Sequence, residues 1–220
     1  MFTNIFLKTA DHTNNKSLAF KLRKERFKLF EEFASRFNNP KILDVGGTQS
    51  FWSKANFSKE KESHIVLSNL EPTETTSANF ISHVGDATNM KEFEDNSFDI
   101  IFSNSVIEHV GDFGKQKDMA DEIRRLGKAY FVQTPNKYFP IEPHFLFPFF
   151  QFLPKLFKIF LIMHFRLGWF KKEPNKQKAS KLSSSIRLLS KKELRLLFPE
   201  GKISEEKFLF LTKSYTVYSQ

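Results

Sequence analysis

Lys41-Ile-Leu-Asp-Val-Gly-Gly-Thr-Gln-Ser50 constrains the fold of this chain more than any other stretch. A short apolar run carries Asp44 near its end, and two glycines follow at once. This pattern reads as a buried strand opening into a tight turn, where glycine lets the backbone bend sharply and lets a ligand come close. Three later runs repeat the arrangement: Val66-Leu-Ser-Asn-Leu-Glu71, the step at Val84-Gly-Asp-Ala87, and Phe98-Asp-Ile-Ile-Phe-Ser-Asn104. Each leads from apolar residues into polar or acidic ones. Four strand ends offering polar groups along one edge of an α/β domain make a nucleotide-type pocket.

The rest of the chain fits a doubly wound α/β sheet. Residues 17–37 read as a helix with Phe20, Phe27, Phe30, Phe33 and Phe37 largely on one face, stopped by Asn38-Asn39-Pro40. Its basic side chains, Arg23, Lys24 and Lys28 among them, read as a solvated face. Strands are expected near 41–45, 64–70, 80–84, 98–103 and 127–133. A helix is expected over Lys115–Leu126 with Met119, Ile123 and Leu126 inward. Ser190-Lys-Lys-Glu193 forms a capping-box pattern ahead of an apolar helix, and Lys202–Lys207 with Ser214–Ser219 read as a closing strand pair. Parallel strands joined by helices place the ligand outside the strand C-termini. At 220 residues, a single domain, 1–220, is expected. Its parts are the helix 17–37, a core over 38–136, an insertion over 138–185, and a closing helix and strand pair over 186–220. No segment of about 20–50 residues repeats.

The insertion differs in character from the core. Pro148 and Pro154 break its phenylalanine- and leucine-rich run, and Lys155, Lys158 and Arg166 interrupt it well short of the ~18 residues a membrane span needs. From Pro154 those three cations share a helical stripe, broken by Ile162, while Leu156, Phe157, Phe160 and Leu161 form a greasy face. That suits either a lid packed over the pocket or an interfacial helix on an anionic membrane surface through 154–170. Lys171–Ser185, rich in lysine and serine, reads as a loop.

Charge divides the chain the same way. Residues 1–40 carry a net of +4, residues 41–135 a net of −5, and residues 136–220 a net of +10. The acidic middle suits a cationic ligand, and the basic flanks suit an anionic partner. There is no cysteine, which excludes disulfides, thiolate chemistry and the cysteine nucleophile that cytosine C5 methylation requires. The apolar stretch of Met1–Lys8 is too short for a secretory segment, so a cytoplasmic protein is expected, with the inner face of a membrane as an alternative site of residence.

Over residues 38–136 the chain resembles the class I S-adenosylmethionine (SAM)-dependent methyltransferases, in their small-molecule, type 11-like branch. The glycine turn, the acidic end of the second strand, Gly85-Asp86-Ala87, and Phe98-Asp-Ile-Ile followed by Val106-Ile-Glu-His-Val110 carry the resemblance. It implies a Rossmann-like seven-stranded sheet, five parallel strands closed by an antiparallel hairpin, and SAM as cofactor. The implied cofactor residues are Asp44, Gly46, Gly47 and Thr48 at the turn, Asn69 and Glu71 at the ribose, Asp86 and Ala87 at the adenine, and Asn104 and Ser105 beneath the methyl group. The family alternates three glycines after the acidic residue, whereas Thr48 and Ser50 stand at the second and third positions here. Glu71 and Asp86 also suit helix N-caps.

No covalent nucleophile is needed for methyl transfer from a sulfonium, so catalysis falls to positioning and to any base that removes the acceptor's proton. Glu142 and His144 are the candidates for that work, and His109, beside Glu108, is the third. Each also suits a structural role. Some ubiquinone-pathway O-methyltransferases place an acidic metal ligand three positions before that glutamate. Ser105 stands there, so no metal is expected. The functional reading is methyl transfer to a small-molecule, sugar or lipid-linked acceptor. Two alternatives remain: an RNA methyltransferase, and a non-enzymatic membrane-surface binder of the same fold. The apolar block at 145–170 is not interleaved with cations as in base-stacking platforms, which makes nucleic acid the weaker partner.

Overall fold

The computed structural model describes residues 18–55 and 64–219, with side chains from residue 22 onward and without those of 54 and 55. Helix α1 (Leu18–Ala34) leads into β1 (Ile42–Val45), α2 (Gln49–Ala55), β2 (Ile65–Asn69), β3 (Phe80–Val84) and β4 (Phe98–Asn104). A 3-10 turn (Ile107–His109), α3 (Phe113–Leu126) and β5 (Gly127–Pro135) complete the parallel part. The chain closes with α6 (Lys191–Leu197), β8 (Lys202–Phe208) and β9 (Leu211–Tyr218). Between β5 and α6 lie β6 (Ile141–Glu142), β7 (Phe147–Pro148), a 3-10 turn (Phe150–Phe152), α4 (Lys155–His164) and α5 (Lys176–Ser184).

The main sheet runs β3-β2-β1-β4-β5-β9-β8. The first five strands are parallel, and β9 pairs antiparallel with both β5 and β8. This is a Rossmann-like sheet closed by a C-terminal hairpin. Strand order reverses between β1 and β4, which opens a crevice outside their C-terminal ends.

Strand alternation divides the core into two layers. On one face Ile42, Ile65, Leu67, Ile100, Phe102 and Phe131 pack against Phe27, Phe30 and Phe33 of α1 and Trp52 of α2. On the other, Leu43, Val45, Ile101 and Val132 meet Met119, Ile123 and Leu126 of α3 and Leu194 and Leu197 of α6. The strands are therefore apolar on both faces, as parallel central strands must be. Helix caps secure the second layer. Asp112 accepts from the Lys115 N–H, and Ser190 and Glu193 form a reciprocal capping box.

Several segments depart from expectation. Helix α1 ends at Ala34, short of Asn38-Asn39-Pro40, and Phe37 still packs beside it. The side chain of Phe20 and the stretch Met1–Lys8 lie outside the described residues. Strand β9 starts at Leu211, earlier than the expected Ser214, and a bulge at Glu206/Lys207 adjusts its register. The expected loop over Lys171–Ser185 contains α5. Asn175 caps it by accepting from the Gln177 and Lys178 N–H groups, and Ala179 is fully buried against α4. Ala179 and Leu182, two apolar residues in a polar stretch, anchor that helix, which composition alone does not register.

The insertion has a core of its own, built from Phe145, Phe150, Ile159, Leu161, Ile162, Leu167 and Ala179. Ile162 breaks the cationic stripe because it faces this core. Leu161, expected on the greasy outer face, is buried too, and Arg166 lies beyond the helix end at His164. Leu156, Phe157 and Phe160 do remain exposed. Among the described residues no helix is long and apolar enough to cross a membrane.

Phe30 is the centre of the α1 layer, with ring centroids 4.9 Å from Phe102, 5.3 Å from Phe131 and 5.5 Å from Trp52. Phe30→Ala should cost about 3–5 kcal/mol of stability, measured by urea unfolding. A loss below ~1 kcal/mol would mean that α1 does not pack on the sheet as described.

Candidate functional site

The glycine turn is built around one buried carboxyl group. Gly46 takes φ of +77°, a left-handed conformation that suits glycine, and its N–H donates to the Ser68 carbonyl at 2.8 Å. A Cβ on Gly46 would lie 2.4 Å from Val106 Cγ2, and one on Gly47 would lie 1.7 Å from Asp44 Oδ2. Asp44 therefore occupies the space that a side chain at 47 would fill. Its Oδ2 accepts from Trp52 Nε1 at 2.7 Å. Burial pushes the Asp44 pKa up to about 7, against the opposing effect of the indole bond.

A cavity of about 190 Å³ opens beside this turn, at the ends of β1 and β4. Asp44, Gly46, Gly47, Thr48 and Asn104 line it, as do Ser50, Phe51, Phe102 and Arg23. The expectation for Arg23 is corrected here. It lies 5.5 Å over the Phe51 ring instead of on a solvated face, while Lys24 and Lys28 are exposed. Burial, then the charge of Arg26, lowers its pKa. One turn further along α1, Arg26 donates to Asn104 Oδ1 at 2.8 Å and stands 3.4 Å from Glu206 of β8. The N-terminal helix thus borders the cavity, and the insertion contributes no lining residue. The i, i+3 spacing of Arg23 and Arg26 was the available signal, and it pointed equally to solvent.

The remaining cofactor candidates sit outside this enclosed space. Asn69 is tied to the turn, with Nδ2 donating to the Gly47 carbonyl at 2.9 Å. Glu71 is exposed beyond the end of β2. Asp86 is exposed after β3, and Ala87 packs against the second core layer. Neither carboxylate caps a described helix. Asp86 Oδ1 accepts from the Thr88 N–H and hydroxyl, both at 2.9 Å, and the Thr88 N–H is the chief reason its pKa is lowered. Ser105, at φ of +59°, donates its hydroxyl to Gln133 Oε1 at 2.8 Å.

The acid–base candidates form a second cluster. Glu142 is buried, and its Oε2 accepts from the backbone N–H groups of His144 and Phe145 at 2.8 and 2.7 Å. Its Oε1 lies 2.7 Å from His144 Nδ1. Burial opposes charge on His144, but the hydrogen bond and charge of Glu142, then the charge of Glu108, outweigh it and raise the pKa above the usual histidine value. The His109 ring stands edge-on to that of His144 at 4.8 Å, and desolvation followed by the charge of His144 holds its pKa down at about 4. His109 is therefore neutral at physiological pH. Glu108, fully buried, accepts from the Thr134 hydroxyl at 3.0 Å through Oε2, while Oε1 has no hydrogen-bond partner among the described residues. Burial pushes its pKa up to about 7. Glu108, absent from the candidate set, is thus the most deeply buried member. The Glu108-His109 dipeptide was the signal for it.

Residues 43–129 match a family described as the methyltransferase domain. These residues form a methyltransferase domain. A domain of this kind is that of an enzyme with SAM as its cofactor. It is similar in fold to the PH0226 protein from Pyrococcus horikoshii OT3, at 17% identity over 99% of this chain and 96% of that one, with a TM-score of 0.54. It is also similar to a SAM-dependent methyltransferase from Archaeoglobus fulgidus, at 13% identity over 90% and 92% of the two chains and a TM-score of 0.55. No curated protein matches the sequence.

The raised pKa of Asp44 makes a stability prediction for the methyltransferase without ligand. A carboxyl whose pKa rises on folding favours the folded state at low pH, and that contribution is lost as pH climbs from about 4 through about 7. Asp44→Asn keeps an acceptor for Trp52 and removes the buried charge. Its melting temperature should exceed that of the wild type by several degrees at pH 8, corresponding to a gain on the order of 3 kcal/mol. The gap should close by pH 4. A gap that does not change with pH would show that Asp44 is solvated.

Proposed function

We propose that this methyltransferase methylates a hydroxyl on a small-molecule, sugar or lipid-linked acceptor, with His144 taking the proton. One observation carries the reading: the 2.7 Å contact between His144 Nδ1 and a Glu142 carboxylate that is itself buried and held by two backbone N–H groups. A base aligned by a fixed carboxylate presents its other nitrogen to the acceptor in a defined direction. The His109 ring stands edge-on beside that of His144, with centroids 4.8 Å apart.

The residues at the glycine turn fit the amino-acid end of SAM. Arg23 and Asp44 line one small cavity, a cation and a carboxyl that complement a zwitterion. Thr48 and Asn104 add a hydroxyl and an amide, and Gly46 and Gly47 leave the backbone bare. On this reading Glu71, with Asn69 beside it, takes the ribose hydroxyls on the open edge of the sheet. Asp86 and Ala87 take the adenine, and Ser105 holds the β4 end in position through Gln133. When bound, SAM supplies a methyl group on a positively charged sulfur, whose thioether leaves without acid assistance. The chain then has to align the acceptor and exclude water, and such positioning is worth roughly 7–11 kcal/mol.

A second reading rests on Glu108. One ligand atom from each of Glu108, His109 and His144 lies within 4.8 Å of the others, a set that could hold a divalent cation to acidify the acceptor hydroxyl. A chelator separates the two. Turnover that survives EDTA favours the histidine base, whereas a loss restored by added magnesium or manganese favours the cation. RNA is the weaker acceptor, because aromatics of residues 145–170 such as Phe145 and Phe150 are buried in the insertion's own core instead of being offered for base stacking.

Two substitutions test the assignment. Glu71→Ala should weaken SAM binding by about 1–3 kcal/mol in calorimetry, the range for a hydrogen bond to a charged group. Unchanged affinity in the folded variant removes Glu71 from the site. His144→Ala should lower turnover about 10²–10⁴-fold on whichever hydroxyl acceptor a radiolabelled-SAM screen identifies, with SAM affinity intact. An effect confined to the acceptor KM would make His144 a binding residue.

A further inference from the structure

A second cavity, of about 360 Å³, opens between α4, α5 and the loop that leads into α3. Lys155, Lys158 and Arg187 line it together with the serines Ser183 and Ser184 and the carboxylate of Asp112. The charges there do not balance. Asp112 is turned toward α3, with Oδ1 accepting from the Lys115 N–H at 3.0 Å. Arg187 is matched by Glu193 and also donates to Gln116 Oε1 at 2.6 Å. Lys158 is only partly exposed, yet its ammonium donates to the backbone carbonyl of Gln151 at 3.1 Å instead of to a carboxylate. Lys155 opens α4 and is exposed. Two lysines near the N-terminus of a helix whose first turn has no acidic residue work against the helix dipole, an arrangement that a bound anion would reverse.

The cavity also adjoins the acid–base cluster. The backbone N–H of Arg187 donates to the Glu108 carbonyl at 2.8 Å, Gly111 lies two residues beyond His109, and the charge of Glu142 acts on Lys158. Burial lowers the Lys158 pKa, and Glu142 offsets only part of that. A compact polyanion in the cavity would relieve this cost and hold a covalently attached hydroxyl group beside His144.

We propose that this cavity is an anion subsite of the acceptor, which takes a phosphate or diphosphate ester on Lys155 and Lys158 while the rest of the molecule reaches His144. The identity of the ester as methyl acceptor rests on the function proposed above; the binding of the anion does not. Two sources share this chemistry. One is a phospholipid or polyprenyl phosphate, whose chain would lie along the exposed Leu156, Phe157 and Phe160 of the same helix. The other is a soluble phosphorylated compound.

The test is calorimetric titration of inorganic pyrophosphate into the full chain. The expected result is saturable 1:1 binding. The double variant Lys155→Gln, Lys158→Gln should weaken it at least ~10-fold, the loss of two charged contacts, with melting temperature and SAM affinity unchanged. Lys172→Gln, an exposed lysine outside the cavity, serves as the control. No binding by the wild type, equal binding by the double variant, or an equal loss in Lys172→Gln overturns the proposal. Sedimentation with phosphatidic acid vesicles then assigns the source. Binding that pyrophosphate displaces, and that Leu156→Ser with Phe157→Ser abolishes, identifies a lipid phosphate. Pyrophosphate binding without vesicle binding identifies a soluble ester. Pyrophosphate binding in a chain that fails to bind SAM, or whose turnover ignores His144→Ala, keeps the anion subsite and refutes the function proposed above.

Discussion

The contact between the Asp44 carboxyl and the bare backbone of Gly47 sets the geometry from which the rest of the molecule follows. A carboxyl almost wholly removed from water must find a donor, and Trp52 supplies one from the next helix. That bond fixes α2 against β1, and Trp52 in turn joins the ring cluster of Phe27, Phe30 and Phe102. The turn cannot relax, because Gly46 is wedged under Val106 and Gly47 under Asp44. Asn69 then ties β2 to the same turn through the Gly47 carbonyl. One buried polar group thereby aligns three strand ends and the helix that covers them.

On the function proposed above, the two halves of a methyl transfer are served by different parts of the chain around that edge. The proposed cofactor side is bounded by α1, which brings Arg23 into the cavity and anchors itself through Arg26 to Asn104 and Glu206. The opposite side is bounded by the insertion, which has a separate core and presents Glu142 and His144 toward the Glu108-His109 turn. Because the insertion carries its own apolar interior, its outer surface can vary without disturbing the sheet. In the proposed arrangement that leaves acceptor recognition free to reside in α4 and α5, while cofactor recognition stays with the strand ends.

Much of the core was legible from residue pattern because its determinants are local. Apolar runs leading into polar or acidic residues marked β1 to β4 within a residue or two, and Ser190 with Glu193 marked the start of α6. Asp44, Gly46, Gly47, Thr48 and Asn104 converge on one cavity as a strand-end argument requires. The misreadings share a cause. Arg23 and Lys24 are neighbours on a helix with a mixed surface, and only the position of the sheet decides which of them meets water. Residues 176–184 look like loop because the few side chains that secure them, Ala179 and Leu182, pack against the insertion core and not against anything nearby in sequence.

The sequence by itself determined the strand ends, the glycine turn and the class of chemistry, because backbone freedom, strand burial and capping depend on residues a few positions apart. Tertiary structure alone decided which ionisable groups act together. Glu108 and Glu142 are separated by a strand and a crossover, and their shared influence on His144 arises because β4 and β5 are neighbours in the sheet. The pairing of Arg26 with Glu206 and the grouping of Lys155, Lys158 and Arg187 have the same origin. Charge acts through space over several ångströms, and which charges share that space is set by the packing of elements far apart along the chain.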